Sequence, residues 1–336
     1  MLEKPDLTDE KIIACLQNEY GLAVERVIFL PLGADINSAV YCAIAGGGDA
    51  YFVKLRSGVF NELIVTIPKY LCDQGIAQII APLATIDGKL WTTLDAFKMV
   101  LYPFVEGQDG YAVELSESQW VDFGAALKNI HSLVLPIGLA GLIVRETFSN
   151  HWREIVNNFL EDVDNRVFID PVARKTADFL KIKRAEIRKI IRRTEQLALT
   201  FQTQTLDLVL CHGDLHAGNI LIEARGGIYI VDWDNPILAP RERDLMFIGG
   251  AQGFRVPYPY EEEALFYRGY GQTMINPLMM AYYRYERIIE DIAAFGEQLL
   301  LSNEGGEDRE RSFGYLCSNF LPNNTIEIAY RSDKSR

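Results

Sequence analysis

The chain has 336 residues, 49% hydrophobic and 24% charged, with a formal net charge of −13. That is the composition of a soluble globular protein with a substantial core, and its charge disfavours nucleic acid or an anionic membrane as partner while attracting a cationic small molecule. Five scattered cysteines without a C-x-x-C pair, a polar acidic N-terminus and the lack of any long apolar run exclude a disulfide framework, a zinc ribbon and a membrane span, and point to the cytoplasm.

Thr8-Asp9-Glu10 reads as a helix start, and Ile12, Ile13, Leu16 and Tyr20 then share one helical face up to Gly21. Strands are expected over 27–32, 39–45 and 50–55. The connection Gly33-Ala34-Asp35-Ile36-Asn37-Ser38 lacks the G-x-G-x-x-G spacing, yet it is long enough to lie over nucleotide phosphates, with Asn37 and Ser38 as its candidate contacts. Lys54 stands alone in the apolar strand Tyr51-Phe52-Val53-Lys54-Leu55 and needs either phosphate oxygens or a route to water. Glu62 is the one carboxylate between Lys54 and Asp73, and it opens a helical pattern that Pro68 should distort. Further strands over 83–86, 90–94 and 97–104 complete a mainly antiparallel sheet of about five.

That sheet ends in Leu101-Tyr102-Pro103-Phe104-Val105, and a domain boundary is expected just after it. Ser116 and Gln119 form a capping-box pattern ahead of an amphipathic helix. A long basic helix spans about 172–199, and its charge run reads as a solvated face. Near the C-terminus, Tyr282 to Ile292 is strongly helical. Its carboxylates Glu286, Glu290 and Asp291 either hold ammonium groups of a substrate or form i,i+4 pairs with the arginines beside them.

Most of the chemistry lies between Leu208 and Asp232. An apolar strand end breaks into His212-Gly213-Asp214-Leu215-His216-Ala217-Gly218-Asn219, and a hairpin closed at Arg225-Gly226-Gly227 returns the chain to Asp232. If Ala224 faces Ile228, then Ile220 faces Asp232, so Asn219 and Asp232 bring oxygens together at the open end. Such a pair suits Mg²⁺. Asp214, in the loop entering that end, is placed to accept a hydroxyl proton. His212, Asp214 and His216 also admit a zinc-hydrolase reading, although no second cluster completes such a site.

These residues, with Ile230-Val231-Asp232, resemble the catalytic loop and metal aspartate of the aminoglycoside phosphotransferase family, whose spectinomycin-phosphorylating branch the chain resembles most. The resemblance implies an α+β, bilobal, protein-kinase-like fold, with a nucleotide-binding antiparallel-sheet lobe over 1–105 and a mainly helical lobe over 106–336. It implies ATP and Mg²⁺, with γ-phosphoryl transfer to a hydroxyl of an aminocyclitol such as spectinomycin, and hence antibiotic resistance. Asp214 would be the catalytic base, and Asn219 and Asp232 the metal ligands. Lys54, paired with Glu62, would bind phosphates, and a backbone donor to adenine would come from Tyr102 or Phe104, because Pro103 has no N–H. Trp233, Asp234, Glu286, Glu290 and Asp291 are the candidates for the substrate pocket. A kinase of another small alcohol, such as choline, methylthioribose, homoserine or a sugar, would use the same catalytic set. A non-catalytic nucleotide-binding module is the alternative from a different class. The oligomeric state is left open, with a monomer as the simplest case.

Overall fold

Alternation with a period of two decides how the N-terminal strands pack. Val53 and Leu55 enter one core with Tyr41, Met99 and Leu101, while Lys54 between them points to the opposite face, where its register partner is Val100. The computed structural model describes residues 4–32, 37–250, 259–302 and 306–334. In chain order these begin with α1 (Asp9–Tyr20), β1 (Val24–Leu30), β2 (Ser38–Ala45), β3 (Ala50–Arg56), α2 (Leu63–Asp73), β4 (Thr92–Leu94) and β5 (Phe97–Pro103). Next come β6 (Gly107–Asp109), α3 (Glu117–His131), α4 (Ile137–Ala140), β7 (Val144–Arg145), α5 (His151–Asn165), α6 (Pro171–Gln202) and β8 (Val209–Cys211). The remainder is β9 (Ile220–Glu223), β10 (Ile228–Ile230), β11 (Ile237–Ala239), α7 (Glu242–Leu245), α8 (Pro259–Tyr270), α9 (Pro277–Gly296), α10 (Gly306–Ser318) and α11 (Thr325–Lys334).

Two compact units result: Met1–Ile143 with Asp214–Pro236 and Arg268–Tyr270, and Val144–Gly213 with Ile237–Tyr267 and Gly271–Arg336. The first takes in more than residues 1–105, because the hairpin after the Asp214 loop belongs to it. Its five-stranded antiparallel sheet runs β1-β2-β3-β5-β4. α1 lays Ile12, Cys15 and Leu16 on one face, and Ile64 and Val65 of α2 pack with Val100 on the other. The strand expected over 83–86 is not formed. There Leu83 donates to the Leu101 carbonyl at 2.7 Å, but Thr85 closes a tight loop on Lys89, its N–H donating to the Lys89 carbonyl at 2.8 Å and its Oγ1 accepting the Lys89 N–H at 3.0 Å. A second sheet, β10-β9-β6, holds the hairpin.

The second unit is mainly helical, with α9 packed against α5, α6 and α11. α6 starts where Asp170 accepts the Ala173 N–H at 2.8 Å, with Pro171 following the cap. A small sheet, β7-β11-β8, carries the strand that enters the Asp214 loop.

Glu262 is 3% exposed and accepts the Gly249 N–H at 2.9 Å. Burial pushes its carboxyl up to about 7, against the pull of that N–H. Between its ordinary value and about 7 the folded chain therefore binds more protons than the unfolded chain, so stability falls as pH rises through that window. Burial shifts Glu263 and Glu286 in the same direction. We expect the melting temperature to fall between about pH 5 and 7.5, and Glu262→Gln, whose amide oxygen still accepts from Gly249, to flatten that slope in thermal denaturation.

Candidate active site

The loop bearing Asp214 is fixed from both ends by backbone hydrogen bonds. On the entering side, Asp244 of α7 is fully buried and accepts the N–H groups of His212 and Gly213, each at 2.9 Å. Gly213 has φ +86, a left-handed conformation that glycine adopts without a Cβ penalty. On the leaving side, the Asn219 side-chain amide donates to the Asp214 carbonyl at 2.7 Å, and the Asn219 N–H donates to the His216 carbonyl at 2.9 Å. The Asp214 side chain keeps 31% exposure, enough to meet a substrate.

His216 shapes this loop. Its Nδ1 accepts the Gly218 N–H at 3.0 Å and lies 3.1 Å from the Tyr111 hydroxyl, while its Nε2 is 3.7 Å from Asp214 Oδ2. Because a backbone N–H only donates, Nδ1 is the acceptor and the neutral ring carries its proton on Nε2, facing the carboxylate. Tyr111 stacks on the ring at 5.5 Å between centroids. These contacts support the loop-shaping role of His216 over the zinc reading, and His212 is itself fully buried.

The hairpin register differs from the expected one. Ile222 pairs with Ile228 and Ile220 with Ile230, not with Asp232. The reason lies at the turn: Glu223 takes the Gly227 carbonyl, and Ala224 leaves the hairpin to donate to Glu106. Asn219 consequently accepts from Val231, and Asp232 is the next residue along. Asp232 has φ +66, a strained conformation for a residue with a Cβ, and its side chain is 46% exposed.

The donors fit a hard cation. The Asn219 amide nitrogen is committed to Asp214, leaving its oxygen as the acceptor, and Asp232 adds an exposed carboxylate. A positive group already sits on that carboxylate: Lys54 Nζ is 2.7 Å from Asp232 and 3.2 Å from both oxygens of Asp234. Arg56, two residues from Lys54 on β3, reaches Asp234 at 2.6 Å. Burial alone would depress the Lys54 ammonium, but Asp232 and Asp234 outweigh it and raise it. Burial likewise raises the Asp234 carboxyl, with Lys54 opposing.

Several expectations are corrected. Glu62 is exposed at the start of α2, and the ion pairs of Lys54 among the described residues go to Asp232 and Asp234 instead. Trp233 is 4% exposed with its indole N–H on the Ile230 carbonyl at 3.1 Å, so it packs the turn and offers no surface to a substrate. Asp234 serves the lysine and Arg56. Glu286 is buried against Arg153 of α5 at 2.5 Å, a long-range pair in place of the expected i,i+4 one, whereas Asp291 pairs with Arg287 one turn away at 2.9 Å as the i,i+4 alternative has it. Glu290 is half-buried and acts on Arg243, raising its pKa against burial.

At the end of β5, where a donor to adenine is expected, the Phe104 N–H donates to the Ala50 carbonyl at 3.2 Å. Antiparallel alternation then directs the Tyr102 N–H to its partner Phe52. Neither expected donor is available to a ligand, and Val105 carries the next N–H past the strand. The position of Val105 after Pro103 is legible in sequence, but the engagement of Phe104 is not. Asn37 is exposed, and its carbonyl accepts from the Ser57 N–H at 2.9 Å; Ser38 opens β2. Residues 33–36 of that connection lie outside the described residues.

The model of the phosphotransferase enzyme family matches residues 30–280. The chain belongs to the phosphotransferase enzyme family. Among solved structures, this phosphotransferase is similar to spectinomycin phosphotransferase APH(9)-Ia in complex with ADP and spectinomycin, with 37% identity, TM-score 0.91 and coverage of 98% of this chain and 99% of that one. The AMP-bound complex of the same protein gives 35% identity, TM-score 0.87 and coverage of 98% and 100%. An amicoumacin kinase shares the fold at 14% identity and TM-score 0.60, covering 98% of this chain and 94% of that one. No curated protein sequence matches. The phosphotransferase has the α+β kinase-like fold and acts on a small molecule. Among its described residues, no helix is long and apolar enough to cross a membrane.

Asp244→Asn replaces one acceptor oxygen with an NH₂ that faces a backbone N–H in a fully buried position. We expect a loss of about 2 kcal/mol in denaturant unfolding, together with a fall in turnover as the peptide units before Asp214 shift.

Proposed function

We propose that the phosphotransferase moves the γ-phosphoryl group of ATP to a hydroxyl of a cationic aminocyclitol, with spectinomycin as the acceptor, and so confers resistance on a cytoplasm that contains it. The observation that carries this reading is the single constellation of Asp214, Asn219, Asp232 and Lys54. One hydrogen bond from Asn219 ties the proposed base to the proposed metal ligands. The similarity to a spectinomycin phosphotransferase over 98% of the chain supports the acceptor.

Asp214 orients the acceptor hydroxyl and takes its proton as the oxygen attacks phosphorus. Lys54 holds phosphate oxygens, and the Val105 N–H serves the adenine edge. Asn219 and Asp232 would hold magnesium, which supplies charge neutralisation for a loose transition state. Residues 1–105 form the nucleotide lobe, and residues 106–336 supply the base, the metal ligands and the acceptor site. The net charge of −13 favours arrival of a dication over nucleic acid or membrane.

ADP release from Mg·ATP by the purified protein should rise with spectinomycin and not with kanamycin, choline or methylthioribose. Asp214→Asn should lower that turnover by about 100-fold or more while changing ATP affinity by less than about threefold. Stimulation by choline alone would transfer the assignment to another alcohol, and unchanged turnover in Asp214→Asn would remove the base.

A further inference from the structure

Lys54 has a long stem and a mobile ammonium, so its value in holding phosphates depends on what fixes it. The helix carboxylate expected for that task, Glu62, lies exposed at the start of α2, and among the described residues the ion pairs of Lys54 go to Asp232 and Asp234. Asp234 instead offers both oxygens at 3.2 Å. Asp234 is itself held. Arg56 reaches its Oδ2 at 2.6 Å, its N–H donates to the Asp232 carbonyl at 2.8 Å, and the residue between the two carboxylates, Trp233, is anchored by its indole. Its side chain is 20% exposed, against 46% for Asp232.

We infer that Asp234, backed by Arg56, is the positioning residue for Lys54 in nucleotide binding, in the place expected for the α2 glutamate. The two carboxylates on Lys54 differ in what else they serve. Asp232 is the exposed one, and any other cation competes with the ammonium for it. Asp234 is largely screened from water, shares its Oδ2 between Lys54 and Arg56, and remains as the anchor. Because Lys54 and Arg56 share one face of β3, the same strand that carries the phosphate-binding lysine also carries the group that orients its anchor. The phosphate site is thus braced by the turn that bears Asp232, independently of α2.

This inference rests on the kinase reading above, so its test begins with nucleotide binding in the absence of any acceptor. Calorimetric titration of Mg·ADP into the full-length wild type, Asp234→Asn, Asp234→Glu, Arg56→Gln and Glu62→Gln would be paired with separate KM values for ATP and acceptor. Asp234→Asn should weaken Mg·ADP and raise the KM for ATP by about tenfold, with the acceptor KM within about twofold. Asp234→Glu should restore part of the loss, Arg56→Gln should lose about threefold, and the effect of Glu62→Gln should be smaller than that of Asp234→Asn. Wild-type affinity in both Asp234→Asn and Arg56→Gln, or a larger loss in Glu62→Gln, would overturn the assignment. A raised acceptor KM with unchanged nucleotide affinity would also overturn it, by giving Asp234 to the acceptor. If Asp234→Asn does not fold, Arg56→Gln alone decides. Absence of Mg·ADP binding to the wild type would overturn the kinase reading itself.

Discussion

A lysine on a strand otherwise given to apolar packing must find negative charge, and that requirement joins two distant parts of the sequence. Lys54 and Asp232 are 178 residues apart, yet their ion pair at 2.7 Å holds the sheet face of β3 against the turn that follows β10. The pair is partly screened by water on the Asp232 side, so its strength is modest in isolation. Its importance is geometric. It places an ammonium, an exposed carboxylate and, through Asn219, the Asp214 loop in one compact unit.

The backbone around these side chains is arranged with equal economy. Two special conformations, Gly213 at φ +86 and Asp232 at φ +66, lie at the two places where charged groups must turn outward. The first is open to glycine at no cost. The second is not, and an aspartate held there implies that the surrounding bonds over-determine it. Those bonds are visible: Asp234 donates to the Asp232 carbonyl, Trp233 is pinned to Ile230, and Val231 donates to Asn219.

Local chemistry made much of this legible in advance. The strand, loop and hairpin from 208 to 232 follow from apolar runs and glycine positions, and the capping box at Ser116 and Gln119 is formed as its pattern implies, with both reciprocal bonds present. The lysine's isolation in its strand was also readable. Its partner was not, because sequence separation favours Glu62 at eight residues over Asp234 at 180, while the sheet and hairpin make the distant residue the neighbour. The adenine-side donors failed for a related reason. Pro103 announces its own missing N–H, but only the ladder reveals that Phe104 is already bonded to Ala50.

The carboxylates of α9 show the limit of charge patterns most clearly. Glu286, Glu290 and Asp291 form an acidic patch in sequence, which a cationic acceptor would fit. In the fold they are separated by burial. Glu286 is 5% exposed, and burial pushes its carboxyl up to about 7 against Arg153; Asp291 answers Arg287 one helical turn away. A buried carboxylate deprived of its guanidinium would be left as an uncompensated charge, so an incoming ammonium would have to displace an arginine that has no better place to go. Arg153 is held from its side as well, since its second terminal nitrogen, Nη2, donates to the Phe148 and Ser149 carbonyls at 3.2 and 2.8 Å. Glu286 is therefore committed to Arg153 inside the helical unit, and acceptor specificity must come from groups that keep a free face to solvent.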